Sequence, residues 1–569
     1  MAKLQLDLSG IKGLGNRFYG DKSLTASQPN LRYLGVDGQM AEGIFNPIST
    51  LGYMSPANNT TKAVTGTTPF LLTSAIISPS RIAGASTDAI FFADEAVTGT
   101  TGKIVNLDTA IDTSLDQAFE IPIDGTSYFK STDFVLYQVD GSAKIFFTAI
   151  NTTTIGFINS IAIADPDFSI PDIDWSRTVP VGASSSLIIS SDRPVMVLAD
   201  NGFLYVLQAN KVHKIDGGTT GGINGTITAN VLLFLGTTGI AITRIKDGVD
   251  LRGAMWIGLH VDSSFDTNRY TLNAKSMNMF VGVYKWNRSS TTAGMQDFIP
   301  IIGVRELLAM FKFQNQPACF TISNDGYTQL RVWNGTEFKI VQTLGTNAYP
   351  VYRKHSIHEN GDNVMWFGND GKIYCYGKIE TGLENGLYIL GDMSLQVTGG
   401  QTYSGSGVLI AANATETVTS GNQASPLAFY LSYKDTGGNH LRKWYPYSTE
   451  TVATVAQTGH VGDVFTLVKY LPDMSTVKYV DIRCAPTGTG STTIATIKYY
   501  FNGSSTASFS KTITKDQASR GYVRHEINKP YVNAIQMEIE YSITNTLGAG
   551  NDFRPSMAIV DFETTTTKG

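Results

Sequence analysis

Three stretches of this chain follow one rule. "VMVLADNGFLYVLQANKVHKIDG" begins at Val195, "ACFTISNDGYTQLRVWNG" at Ala318 and "VMWFGNDGKIYCYG" at Val364. Each is an apolar strand, a turn of Asp, Asn and Gly, and a second strand carrying an aromatic residue. Asn-Gly and Asp-Gly accept the positive φ angles that tight hairpin turns demand. Four further segments, beginning at Ser86, Ser131, Gly253 and Pro426, share the rule and bring the number to seven. They recur at roughly 45–65 residues, the spacing of a four-stranded propeller blade with generous loops. A twisted four-stranded sheet cannot bury both faces alone. Stacked radially, each sheet covers its neighbour, and closing the ring removes the exposed ends. The expectation is an all-β protein whose residues 81–449 form a β-propeller of about seven blades.

Within each hairpin, alternate residues face opposite neighbours. Trp286, Trp333, Trp366 and Trp444 fall in these segments and are expected between blades as core. Cys319, Cys375 and Cys484 are the three cysteines. They are widely spread, with no CxxC or Cys/His cluster, so they read as small buried hydrophobes. Helical periodicity is nearly absent. The best candidate is Val304 to Phe313, "VRELLAMFKF", with two or three turns.

Outside residues 81–449 the pattern breaks. Residues 1–80 are loop-rich and read as an extended arm with a segment that closes the ring. Residues 450–569 carry about eight strands of alternating polarity, and predict an antiparallel β-sandwich of immunoglobulin-like or jelly-roll type. A long insert around Asn268 separates two strands of the Gly253 segment. The arm before Pro79, this insert and the sandwich after Thr449 are where function is expected, because the repeat itself only builds the disc.

Charged residues are 16% of the 569, well below the usual quarter, while hydrophobic residues reach 42%. Ser, Thr, Asn and Gly fill the surface, as in rigid extracellular or virion β-proteins. The net charge of −5 and the lack of a basic block argue against binding nucleic acid through a Lys/Arg surface. No signal-peptide core and no run of eighteen apolar residues is present, so synthesis in a cytoplasm without a membrane span is expected.

Residues that could serve catalysis or hold a metal do not complete a known motif. Asp165, Asp167, Asp172 and Asp174 make an oxygen-rich loop, but without EF-hand order, and read as a solvated Asx-rich loop. His355 and His358 stand three apart with Glu359 next to them, a spacing that would suit a metal only on a helix. Gly218 to Gly225 is Gly-rich without a strand–loop–helix context. Ser323, Asp325 and Trp333 follow the order of a sialidase Asp-box, yet Gly326 comes one residue early and the Trp late. Arg331 and Arg353 do not make a recognisable carboxylate-binding set. No catalytic, cofactor-binding or metal residue is assigned, and no enzyme activity is expected.

The arm's "GIFNPISTLGYMSPAN", with Asn46-Pro47 and Gly52-Tyr53, leads into blades with "NGFLYVLQANKV" and "NDGKIYCYG", and strands end the chain. This layout resembles the β-propeller virion proteins of tailed bacteriophages, of the tail nozzle, hub or tail-tip type. The resemblance implies a structural protein of the phage tail. It would self-associate into a symmetric ring, with a hexamer favoured, that gives a DNA passage without sequence recognition. Its partners would be an adaptor, a portal-side ring, fibres or spikes. The alternative is a receptor- or glycan-binding tail protein that uses propeller loops or the C-terminal sandwich, with Tyr349 and Tyr403 as stacking residues.

Overall fold

A computed structural model describes residues 2–7, 30–34, 36–37, 46–47, 52–54, 71–78, 89–94, 103–108, 116–120, 129–139, 142–151, 156–162, 179–180, 194–208, 210–216, 226–234, 244–260, 281–378, 385–393, 401–413, 427–444, 460–466, 469–543, 553 and 555–564. Nearly all of them lie in β-strands or the turns between strands.

The strands form consecutive antiparallel runs of four. Their first strands are Leu72–Ser78, Phe129–Val139, Val195–Leu198, Arg244–Leu251, Val304–Phe313, Ile357–Asn360 and Tyr403–Asn413. Each first strand touches the next in this order, and the seventh touches the first. The arrangement is that of a β-propeller, with the first strands around the axis. Three strands of the seventh sheet are sequential. The fourth, Gly52–Met54, comes from the N-terminal segment and pairs with Leu441 to Lys443.

The repeated turns behave as their sequence demands. Gly202, Gly326 and Gly371 close the three NG and NDG turns, all with φ between +80° and +90°. This is the left-handed region that side chains rarely adopt. The flanking strands alternate between neighbours. Val364, Trp366, Tyr374 and Tyr376 join Phe311, Phe320 and Leu330 between the fifth and sixth sheets. Met365, Phe367, Ile373 and Cys375 join Leu409, Phe429 and Leu431 between the sixth and seventh. Trp366 is fully buried, stacks on Tyr374 and donates from Nε1 to the Ala348 carbonyl. Burying a side chain of this size contributes about 1.5–3 kcal/mol. Trp286 is also buried, Trp333 is half-buried against Trp256, and all three cysteines are buried thiols outside any disulfide. The Trp444 side chain lies outside the described residues.

Val304–Phe313 is a strand, not the helix its spacing suggests. It pairs with Gln316–Ser323 through a tight turn in which Gln314 and Asn315 have positive φ. Its register shifts twice, between Val304 and Glu306 and between Leu307 and Ala309. Each bulge adds one residue to the alternation. Two bulges turn a period of two into a spacing that mimics three and four.

Beyond the seven runs, Lys469–Cys484 and Tyr522–Ile543 are long strands that bend. Residues 475–483 pair with 522–532 and with Pro555–Thr564, which is edged by Ala2–Asp7. Residues 535–541 pair instead with Thr493–Phe501, and 538–543 with His460–Thr466. Both portions surround one core that includes Val480, Ile497, Tyr499, Met537 and Val560. That core is continuous with the interface between the sixth and seventh sheets. The N-terminal strand Asn30–Leu34 joins the two parts. It pairs antiparallel with His460–Thr466 and meets Asn385–Asp392 of the sixth sheet at Leu34 and Ile389.

Candidate functional site: the axial turn

A group of interacting charged side chains lies where the first strands converge. It centres on Tyr352-Arg353-Lys354-His355-Ser356, which leads from the fifth sheet into the sixth. Arg353–Ser356 is a single 3-10 turn, and Arg353 takes a left-handed backbone with φ of 52°. Ser356 closes the turn: its Oγ accepts from the Tyr352 amide at 3.1 Å and donates to the Gly407 carbonyl of the seventh sheet at 3.0 Å.

His355 and Lys354 then reach three other sheets. His355 Nε2 lies 2.6 Å from Asp133 Oδ1 of the second sheet. Its Nδ1 lies 3.1 Å from the carbonyl and 3.3 Å from the amide of Ala75, on the first strand of the first sheet. Lys354 Nζ is 2.9 Å from Asp133 Oδ2 and donates to the Met196 carbonyl of the third sheet at 2.7 Å. The Met196 amide in turn donates to Asp133 Oδ2 at 2.7 Å. One turn of chain thus ties its own sheet to the first, second, third and seventh.

Asp133 is fully buried. Burial alone would raise its pKa, but the charges of Lys354 and His355 and the hydrogen bonds from His355 and Met196 outweigh it, and bring the carboxyl down to about 2. Asp247 shows the converse. It is also buried, and its Oδ2 accepts from the Met310 amide of the fifth sheet at 2.7 Å. Here burial wins over the fields of Arg353 and Lys354, and the pKa is raised. Oδ1 of Asp247 has no hydrogen-bond partner among the described residues.

These two aspartates are one device used twice. Each stands at a bulge in the first strand of its sheet, Ser131/Asp133 and Ile245/Asp247. Each accepts the amide of a residue on the next first strand, 63 positions onward in both cases. A buried amide without a partner is costly, and the carboxylate of the neighbouring sheet meets that need. Glu359 acts similarly between the sixth and fifth sheets, accepting from the Lys312 amide at 3.0 Å.

The sequence Ser356–His355 beside Asp133 invites comparison with a nucleophile relay, and the geometry answers it. Both His355 nitrogens face Asp133 and Ala75, and Ser356 Oγ is engaged with Tyr352 and Gly407. A relay needs the hydroxyl on the imidazole. The groups instead hold one another and the backbone.

The residues singled out in the sequence are dispersed. His355 turns to Asp133, whereas His358 meets the Phe429 ring edge-on, so the two do not converge. Ser323 Oγ caps its own turn by accepting from the Tyr327 amide, while Trp333 packs on Trp256 and Phe338. Arg331 is buried and donates to Thr321, Gln329 and the Phe338 carbonyl. Tyr349 and Tyr403 are half-buried and meet the same turn. Tyr349 takes Asn369 Nδ2 at 3.3 Å, and the Tyr403 ring lies over Gly371. Asp165, Asp167, Asp172, Asp174, Gly218 to Gly225 and the insert around Asn268 lie outside the described residues. Sequence reasoning missed Asp133, Asp247 and Lys354. Their signal was three consecutive basic residues, Arg353 to His355, in a chain poor in charge.

No protein-family model and no curated protein matches this chain. Among solved structures it is similar to an exo-β-1,3-galactanase from Phanerochaete chrysosporium, at 9% identity and a TM-score of 0.31. That match covers 90% of this chain and 100% of the other. It is also similar to the six-bladed β-propeller lectin of Aleuria aurantia, at 11% identity and a TM-score of 0.35, over 68% of this chain and 97% of the lectin. Likenesses this slight carry no argument about function. Among the described residues no helix is long and apolar enough to cross a membrane.

Proposed function

We propose that this chain is a non-enzymatic structural subunit of a phage tail, built as a seven-bladed propeller with a C-terminal β-sandwich. In this reading it assembles into a symmetric ring, with a hexamer favoured, within the virion. It contacts an adaptor or portal-side ring on one side and fibres or spikes on the other. The supporting observation is the axial turn. Its ion pairs to the buried Asp133 and its hydrogen bonds bind the first strands to one another. A disc braced in this way suits load rather than turnover. DNA would then pass between subunits, around the axis of the ring, and not along the axis of any one propeller.

The N-terminal segment braces its own chain. Its described strands brace the seventh sheet, the sixth sheet and the C-terminal strands of their own chain. The test is the state of the purified protein and of the particle that carries it. Light scattering and negative-stain electron microscopy should show a closed ring of defined copy number, and labelling should place it in a tail. A chain that stays monomeric at every concentration and is absent from particles overturns the proposal.

A further inference from the structure

The outer edge of the third sheet is held by a side chain where a backbone carbonyl would ordinarily serve. Its strands are Val195–Leu198, Leu204–Gln208, Lys211–Asp216 and Thr226–Leu233, with the last at the edge. The two outer strands shift register between Val212 and Lys214. Val212 pairs with Leu232 and Lys214 with Thr228, so His213 stands opposite residues 229–231 without a ladder partner. Asn230 takes a left-handed backbone with φ of 56°, and its amide donates to His213 Nδ1 at 3.2 Å.

That bond fixes the state of the ring. A backbone amide only donates, so Nδ1 must hold a lone pair and the proton of the neutral ring sits on Nε2. Nε2 lies 3.0 Å from the end of the Gln208 side chain. With that amide turned so that its oxygen accepts, Gln208 Oε1 gains the partner it otherwise lacks among the described residues. His213 is buried, and burial together with the charge of Lys211 lowers its pKa from 6.5 to about 4. Tyr205, Leu207 and Val212 pack with the fourth sheet, so Val206 and His213 face the other way. On the second sheet the titratable side chains among the described residues are Asp133 and Tyr137. Asp133 is held at the axial turn, and the Tyr137 hydroxyl donates to the Gly202 carbonyl. Lys214 and Asp216 turn to the opposite face, Lys214 over the Phe203 ring, and the edge strand carries no charged residue.

The edge strand is unequally held. Leu232 and Phe234 are buried, and backbone bonds join Leu233 to Thr291 and Phe234 to Asn210. Thr228 and Asn230 are exposed, and before Asn230 the ladder is three pairs, from Lys214 with Thr228 to Asp216 with Thr226. We propose that His213 is an acid latch, whose protonation releases residues 226–230 from the edge of this sheet while 232–234 stay in place. A proton on Nδ1 sets donor against donor at Asn230 and leaves a cation buried beside Lys211. The left-handed Asn230 is the hinge. Because the folded ring titrates below its ordinary value, the closed edge is favoured in full above pH 6.5 and loses that preference as pH falls toward 4.

The test is hydrogen–deuterium exchange of the full-length protein between pH 7.5 and 4.5, read on overlapping peptides across 226–234 and corrected for the intrinsic rate at each pH. Protection of 226–230 should fall roughly twentyfold between pH 7 and pH 5, while that of 232–234 holds. His213→Asn puts a non-titrating carbonyl near the place of Nδ1 and should keep protection flat across this range. His213→Phe fills the space without an acceptor and should exchange quickly at every pH. Equal protection at pH 7 and pH 5 in the wild type overturns the latch, as does the same fall in His213→Asn. Loss of protection throughout the sheet at once also overturns it, because opening would then be global. Where a variant does not fold, the wild-type profile of the two segments decides alone.

Discussion

Two sets of opposite charges in this molecule use the same chemistry in opposite settings. At the axis, Asp133 is buried between Lys354, His355 and the Met196 amide. At the surface of the C-terminal strands, Arg524 holds Asp481 through Nε and through a second nitrogen, both at 2.6 Å, with its guanidinium over Tyr479. By distance the surface pair is at least as good. By environment it is far weaker, because water screens it and solvates either partner after separation. Geometry alone does not rank ion pairs; the cost of leaving one partner alone does.

The largest effect should therefore come from breaking the axial set. Asp133→Ala leaves Lys354 and His355 facing a buried gap and the Met196 amide without its acceptor. The expected loss is about 3–5 kcal/mol, read as a fall in the denaturant midpoint with an unchanged slope. A loss near that of a surface substitution would mean that the partly exposed Lys354 recovers its solvation once Asp133 is gone, and the contrast would collapse.

Acid should reach the same residue without mutation. The Asp133 carboxyl lies at about 2 when folded, against an ordinary value of 3.8. A depressed carboxyl gives stability that is fully present above pH 3.8 and is lost as pH falls toward 2. The difference amounts to about 2 kcal/mol. Unfolding titrations from pH 5 down to pH 2 should show that slope in the wild type and a flatter curve in Asp133→Asn.

Asp247 sharpens the comparison, because burial there outweighs the neighbouring charges. Its raised pKa has the opposite sign. Its contribution is present below 3.8 and fades as pH rises through the raised value. Asp247→Asn keeps an acceptor for the Met310 amide and removes the charge. It should gain about 1 kcal/mol at neutral pH and nothing at pH 3, by the same denaturation measurement. A loss at neutral pH would show that Arg353 and Lys354 need this carboxylate.

The sequence made the sheets legible and left the axis unread, for definite reasons. An NDG turn between apolar strands is local, and Gly371 adopts the conformation its neighbours require. Periodicity is local too, but only while the strand is regular. The bulges at Glu306 and Ala309 were enough to make Val304–Phe313 look helical. The C-terminal strands read as about eight because Lys469–Cys484 and Tyr522–Ile543 each bend, with left-handed residues at Asn528 and Tyr531. The axial set had no local signature. His355 meets Asp133 across 222 positions and Ala75 across 280. Only closure of the ring brings them together.

The smallest effect belongs to the surface pair. Asp481 holds a lowered pKa chiefly through its hydrogen bonds to Arg524. That marks the pair as formed and does not make it strong in water. Arg524→Ala removes both hydrogen bonds and exposes more of the Tyr479 ring. Asp481 remains at the surface, where water replaces the guanidinium. The denaturant midpoint should not move measurably at physiological salt. At low salt a small loss should appear, since screening weakens with the longer Debye length. A midpoint that falls as far as in Asp133→Ala, at any salt, would show that exposure does not separate these two charge sets. The ranking would then have to come from hydrogen-bond geometry, in which Arg524 and Asp481 are the better matched.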